Sequence, residues 1–480
     1  MTQKILFVGA EIMPFAATGG LGDVMGSLPA ALAATGTGGD LPIRCVMPLY
    51  DAIKEEWRGQ MTREAEFNVP LAWRNQYCGV WSLVKDGVKF YFLDNEYYFK
   101  RGPLYGHYDD GERYAYFCMA VLRMMEELGW YPDVLHANDW QSALTVIYLR
   151  TLFNRPPFQE IRTVFTIHNI AFQGQYNFAI LGDVFALSEA ERPIVEQDGC
   201  INLMKGAIVC ADRVTTVSPR YAEEIRDPAF AEGLEGIIRE NAGKVTGILN
   251  GIDTAFYDPE TDPALSSHYS ARSLAGKKRC RTALRKKAGL ADDPDVPLIV
   301  MISRLTGQKG LDILEPMLDG LVREKNVQFV VLGKGEAHYE DFFRSLEKKY
   351  PDRVRALIAY DRALSKELYA AGDIFLMPSR TEPCGLAQMI ACRYGTIPVV
   401  RETGGLADSI LPYHTEDGKL VGCGVSFRNY DPSDLYFAVT RALELIGESK
   451  SRTAAIRLAM ETDFSWERSA AAYETLYLGL

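Results

Sequence analysis

The chain has no Cys-x-x-Cys pair, no His-Glu-x-x-His and no tight Asp/His cluster, so no motif points to a metal. Its nine cysteines are odd in number and scattered, which argues against a disulfide framework. No uninterrupted apolar run reaches the roughly 18 residues of a membrane span. Met1-Thr-Gln-Lys4 leads straight into the strand-like Ile5-Leu-Phe-Val8, without the charged, apolar, small-residue order of a leader. The expectation is a soluble, cytoplasmic protein. Basic side chains are the minority, 52 against 63 acidic, and the net charge of -11 would oppose nonspecific binding to nucleic acid or an anionic membrane. There is no low-complexity tract and no repeat of about 20–50 residues. The phosphate-loop spacing Gly-x-x-x-x-Gly-Lys-Ser/Thr is missing too, so ATP-type phosphoryl transfer loses weight.

What is present is an ordinary globular composition, 48% hydrophobic and 24% charged, in 480 residues. That length is too great for one core and suggests two or three domains, most simply two of roughly 200 residues or more. Short apolar strand patterns at 4–9, 44–47, 88–93, 134–136, 163–167 and 213–217 alternate with helical patterns, notably 112–128 and 141–152. The same grammar restarts at 298–303, 328–332, 354–358, 374–377 and 397–400. Such βαβα order predicts an α/β protein of two doubly wound, mostly parallel sheets. Between the halves, the turn-rich Ile248–Asp253 and the aperiodic stretch Pro259–Leu274 read as the interdomain linker.

Candidate chemistry falls at strand ends. Met377-Pro-Ser-Arg-Thr-Glu-Pro-Cys-Gly-Leu386 joins a strand pattern to a helix pattern. It sets Glu382 at the carboxyl edge of a sheet, where α/β proteins bind ligands, with Gly385 permitting close approach to backbone N–H groups. A solvated Glu in an ordinary turn is the competing reading. Thr18-Gly-Gly-Leu21 precedes a helix for which Asp23 is the expected N-cap, an arrangement that can offer N–H groups to a diphosphate, although glycine also serves tight turns. The segment echoes Thr403-Gly-Gly-Leu406, with coincidence as the alternative. Arg304 and Lys309, in the loop after a strand, form a clamp for a diphosphate leaving group or a pair of solvated charges. His136, Asp139, Trp140 and His168 sit at two further strand ends, as sugar contacts or as structural residues.

Together Thr18–Asp23, His136–Trp140, Phe165–Asn169, Thr216–Pro219, Asn250–Asp253, Ser303–Gly310 and Pro378–Leu386 resemble, in order and across nearly the whole chain, bacterial glycogen synthase and plant starch synthase. The resemblance implies a GT-B architecture of two Rossmann-like domains facing a deep interdomain cleft. Its parts would be 1–250 on the acceptor side, 251–462 on the nucleotide-sugar side, and a terminal helix within 463–480 crossing back onto the first domain. It implies ADP-glucose as donor, an α-1,4-glucan such as glycogen as acceptor, retention of configuration, and no metal or other cofactor. Arg304 and Lys309 would hold the diphosphate, and Glu382 with the backbone of Cys384, Gly385 and Leu386 the donor glucose. His168 and Asp139 would lie near the sugar and Tyr360 beside adenine. Gly19, Gly20, Asn250, Thr403, Gly404 and Gly405 would complete the donor side.

Two departures stand out. Ala17 occupies the place of the family's usual Lys, removing a cation, and Ile390 stands where the wider group of retaining GT-B enzymes often has a second Glu. With no nucleophile evident on the β face, the expected chemistry is same-face attack by the acceptor hydroxyl, assisted by the departing phosphate, rather than double displacement. A retaining transferase with another acceptor and a silent glucan-binding paralogue are the rival readings. A homo-oligomer remains open.

Overall fold

The computed structural model describes residues 3–35 and 42–480; residues 1–2, where the leader reading begins, and 36–41 lie outside it. The chain divides into two compact units, residues up to Gly251 with Trp466–Leu480, and Ile252–Ser465.

In the first unit, strands β1 (Ile5–Val8), β2 (Ile43–Pro48), β3 (Thr62–Leu71), β4 (Arg74–Lys85), β5 (Val88–Asp94), β6 (Val134–Asn138) and β7 (Arg162–Ile167) belong to one sheet. Three short strands, β8 (Gln175–Tyr176), β9 (Glu196–Gln197) and β10 (Cys200–Asn202), form a separate small sheet. β11 (Arg213–Thr216) and β12 (Val245–Gly247) complete the large one, whose order is β12-β11-β7-β6-β1-β2-β5-β4-β3. Its centre is parallel and its far edge is an antiparallel hairpin, β3 on β4 and β4 on β5. Ile5, Leu6, Phe7 and Val8 are all buried, as expected of a strand covered on both faces.

The second unit holds β13 (Leu298–Ile302), β14 (Gln328–Leu332), β15 (Val354–Leu357), β16 (Ile374–Met377) and β17 (Ile397–Arg401). A small hairpin of β18 (His414–Glu416) and β19 (Lys419–Val421) precedes β20 (Val425–Phe427). The main sheet is ordered β15-β14-β13-β16-β17-β20, parallel throughout. The order reverses between β13 and β16, which lie side by side, so the loops leaving them share one strand-end edge.

Several local expectations are corrected. The first long helix spans Gly20–Thr35, so Asp23 lies in its first turn and is not its cap. The stretch 259–274 is not a linker but irregular chain packed onto the second unit: Tyr269 is buried and its hydroxyl donates to the Tyr394 carbonyl at 2.7 Å. His136 is no sugar contact. It is fully buried between the Tyr477 hydroxyl (2.7 Å) and the Thr166 hydroxyl, and burial pushes its pKa down to about 3. Tyr477 comes from the helix Trp466–Leu478, which packs on Gly20–Thr35 within the first unit.

The helix Ala275–Ala288 turns three cations inward at i, i+4 and i+8 spacing. Lys277 donates to Ala370 O, Tyr394 O and Thr396 Oγ1, and burial lowers its pKa to about 7. Arg281 grips Asp373 through two contacts of 2.6 and 2.8 Å, and Arg285 donates to Gln328 Oε1 at 2.7 Å. Since Asp373 also accepts from the N–H of Leu298, these bonds tie the beginnings of β13 and β16 together. A buried charge is tolerable only when paired and hydrogen-bonded in this way.

Candidate active site

In the second unit the loops after β13 and β16 meet. Lys309 Nζ lies 2.6 Å from Glu382 Oε2, and the buried Ser379 hydroxyl donates to the same oxygen at 3.0 Å. Both partners are largely buried, Lys309 at 15% and Glu382 at 9% side-chain exposure, so this is not a solvent-screened surface pair. Two backbone contacts hold the loops together. Gly310 takes φ 78° with its α-carbon against Pro378, where an added Cβ would lie 2.0 Å from the Pro378 carbonyl oxygen. Arg380 N donates to Gln308 O at 2.9 Å. Arg304, by contrast, is exposed, and its guanidinium has no hydrogen bond or ion pair among the described residues. The two cations predicted as one clamp therefore differ: one is already neutralised by a carboxylate, the other is open to an incoming anion.

Beyond Glu382 the chain turns through Cys384 and Gly385, the latter at φ 71°, into the helix Ala387–Arg393. Gln388 reaches back to donate to Cys384 O (3.1 Å) and Gly385 O (2.9 Å), which fixes the turn from behind. Thr403-Gly404-Gly405 packs against the same turn. Gly405 N donates to Glu382 O and Pro383 O, both at 3.1 Å. A Cβ on Gly404 would lie 2.0 Å from Glu382 O, and one on Gly405 2.2 Å from Cys384 O. These glycines bring two backbones together, and what they position is the Glu382 loop. Tyr360, expected beside adenine, stands 85% exposed at the end of a neighbouring loop.

In the first unit the predicted residues gather at the ends of β6 and β7. Asp139 links β6 to the helix Trp140–Arg150 with φ 56° and ψ 177°, a conformation that side-chain-bearing residues adopt only under strain. One of its carboxylate oxygens accepts from His168 N at 2.7 Å. Burial lifts the Asp139 pKa to about 7, against the pull of the His168 and Asn169 N–H groups, and the nearby Glu11 carboxylate adds to the rise. Asn138 spends its amide N–H groups on Val8 O and His136 O, so its Oδ1 faces His168 Nε2 at 2.9 Å. That arrangement assigns the imidazole proton to Nε2 and leaves Nδ1 as an acceptor. Burial holds His168 neutral, with its pKa down to about 3. Trp140 stacks edge-on to Tyr114 and packs over Gly174, leaving part of its ring exposed.

The Thr18-Gly19-Gly20 turn is governed by a residue that the sequence motifs did not single out. Buried Glu11, just after β1, accepts from Thr18 N, the Thr18 hydroxyl (2.7 Å) and Gly19 N (3.1 Å). The Gly19 N–H, expected to meet a diphosphate, donates here to the Glu11 carboxylate. The glycines also leave room, since no described residue lies within 4 Å of a Cβ on Gly19 or Gly20. Ala17 is packed against Gly22, whose Cβ would lie 2.3 Å from that of Ala17. Asn250 is buried with Oδ1 unsatisfied by any described residue. Among the described residues no group of three or more His, Cys, Asp or Glu is placed to hold a metal, and no helix is long and apolar enough to cross a membrane.

The family model "Starch synthase catalytic domain" matches residues 4–240, and "Glycosyl transferases group 1" matches 281–457. Glycogen synthase of Geobacillus thermodenitrificans is 45% identical over 99% of this chain and 97% of its own length, and that of Lactobacillus acidophilus is 44% identical over 99% of both. The chain belongs to the glycogen synthase family. The catalytic domain of starch synthase IV from Arabidopsis thaliana, solved with ADP and acarbose, superimposes with a TM-score of 0.91 at 34% identity over 99% of each chain. The fold is therefore GT-B, with a Rossmann-like sheet in each unit. Sucrose-phosphate synthase from Thermosynechococcus elongatus, at 19% identity and a TM-score of 0.62, shares the fold alone.

Proposed function

We infer that this protein transfers glucose from ADP-glucose to the non-reducing end of an α-1,4-glucan, with retention of configuration, in glycogen synthesis. The observation that carries the reading is the Lys309–Glu382 contact of 2.6 Å at the strand ends of the second unit, in a chain related over its whole length to glycogen synthases. Breaking the bond between C1 and the diphosphate develops positive charge on the sugar and negative charge on the leaving phosphate. A cation beside a carboxylate answers both: Lys309 and the open Arg304 meet the phosphate, and Glu382 meets the sugar. Gly385 and Leu386 add backbone N–H groups not engaged by any described residue. Tyr360 offers an exposed ring to the base. In the first unit, Asp139 and His168 contribute a carboxyl group near its titration point and a neutral imidazole acceptor, suited to sugar hydroxyls.

Initial rates with ADP-glucose and UDP-glucose, side by side on the same glycogen, test the reading. Incorporation with retained configuration, faster from ADP-glucose, is expected. No incorporation from either donor would leave a glucan-binding paralogue, and preference for a non-glucan acceptor would leave a related transferase.

A further inference from the structure

Tyr430 lies in the segment that joins β20 to the helix Pro432–Gly447, far in sequence from every residue assigned above. Its ring is flanked by two guanidinium groups, Arg380 at 4.9 Å and Arg401 at 5.4 Å from the ring centroid. Its hydroxyl donates to Asp312 and lies 3.4 Å from the Gly307 carbonyl. Asp312 in turn accepts from Arg380 at 2.8 Å, and Arg401 donates to the Arg380 carbonyl. The ring of contacts therefore closes on the two loops that carry Lys309 and Glu382. Gly307 begins the single turn that ends in Lys309, Asp312 lies in the first turn of the helix Leu311–Glu324 behind it, and Arg380 stands two residues before Glu382. Gln308 completes the set, its side chain donating to the Thr381 hydroxyl at 3.2 Å.

We propose that Tyr430 is a positioning residue for the transfer reaction, holding the Lys309 turn and the Glu382 loop in register through its hydroxyl and its ring contacts with the Arg380 and Arg401 guanidinium groups. The physical reason is that both loops end strands and neither has a regular ladder to fix it. Arg380 lies over the ring and donates to Asp312, and Arg401 lies over the ring and donates to the Arg380 carbonyl, so each guanidinium has two anchors where a lone surface Arg–Asp pair has one. A shift of about 1 Å between the loops would separate Lys309 from Glu382 and misplace both charges, which is costly for a site that works by preorganisation.

The proposal rests on the glucosyltransferase reading for its kinetic consequence but not for its structural one, so two readouts are used. Wild type, Tyr430→Phe and Tyr430→Ala are compared in the rate at which Lys309 is reductively methylated, followed by peptide mass spectrometry, and in kcat and KM for ADP-glucose with glycogen. Tyr430→Ala is expected to label Lys309 at least threefold faster and to lose tenfold or more in donor kcat/KM, with the glycogen KM within twofold of wild type. Tyr430→Phe, which keeps the ring contacts and loses the hydroxyl, is expected to fall in between, with a two- to fivefold loss in kcat/KM. Folded Tyr430→Ala that matches wild type within twofold in both readouts overturns the proposal. If that variant does not fold, Tyr430→Phe decides, and its equality with wild type in both readouts counts against the proposal. A wild type that transfers no glucose would defeat the functional reading, while the labelling ratio would still test the role of Tyr430.

Discussion

Thr18-Gly-Gly-Leu21 and Thr403-Gly-Gly-Leu406 share four letters and a place at the start of a helix, yet their glycines serve opposite ends. The first pair is exposed, with open space where side chains would be; the second is buried against the backbone of Glu382 and Cys384. A parallel contrast holds for charge. The first unit buries its titratable pair, which holds the His168 imidazole neutral and raises the Asp139 carboxyl to about 7, while the second sets Lys309 in direct contact with Glu382. On the proposed reading, the first unit forms hydrogen bonds and leaves room, and the second meets developing charge.

The largest effect that would break this contrast is on the charged side. On the proposed reading Lys309→Ala removes a cation that meets the leaving phosphate, and it leaves Glu382 buried without that partner. A loss of about 10²-fold or more in rate is expected, with a stability cost on the order of 3 kcal/mol. The double variant Lys309→Ala/Glu382→Gln should regain much of that stability and none of the rate. Arg304→Ala, at an exposed and unpaired position, should lower the rate without measurable change in unfolding. Denaturant unfolding and steady-state rates on the four proteins check this, and equal stability losses for Lys309→Ala and Arg304→Ala would contradict it. Next is Gly405→Ala, whose Cβ has no room: overpacking should cost about 2 kcal/mol or more and lower Tm and activity together.

Titration separates the units further. An Asp held near pKa 7 when folded, against about 3.9 when unfolded, binds its proton more tightly in the native state. Its contribution to stability is fully present at low pH and is lost as pH rises from about 4 through 7. Asp139→Asn should therefore raise Tm at pH 8, and the gain should shrink toward pH 4. His136 and His168, both lowered to about 3, act oppositely, and their stabilising neutrality is lost as pH falls below about 6.5. Thermal melts of wild type and Asp139→Asn between pH 5 and 8 read the difference, and a gap independent of pH would refute the assignment. The smallest effect is expected at Gly20→Ala, which should leave stability within about 0.5 kcal/mol of wild type. A rise in donor or glucan KM there would show that a ligand uses the open space, and an unchanged KM that it does not.

Much of this was legible in the sequence because parallel strands buried on both faces are written as short apolar runs, and those from Ile5 to Val400 fall within a residue or two of the structure. The hairpin of β3 and β4 was not, because Thr62–Leu71 carries few apolar residues and its buried positions emerge only at Val69 and Leu71. The inward cations of Ala275–Ala288 were hidden for a related reason: Lys and Arg read as solvent-facing until Asp373 and the carbonyls of other elements are placed beside them. The Lys309–Glu382 pair spans 73 residues and arises from the adjacency of β13 and β16, which chain order does not reveal. Tyr430 acts through such non-local contacts too, whereas Glu11 and Gln388 bond within their own turns, and no motif marks any of the three.

The most direct test of the claim that the second unit meets charge while it develops is Glu382→Gln, assayed for glucose transfer from ADP-glucose to glycogen and for ADP affinity by calorimetry. The account predicts that kcat falls far more than ADP binding weakens, because the carboxylate acts on the sugar as its C1 becomes positive. A loss of ADP affinity equal to the loss of rate would contradict it, and would make Glu382 a nucleotide holder whose only partner of consequence is Lys309.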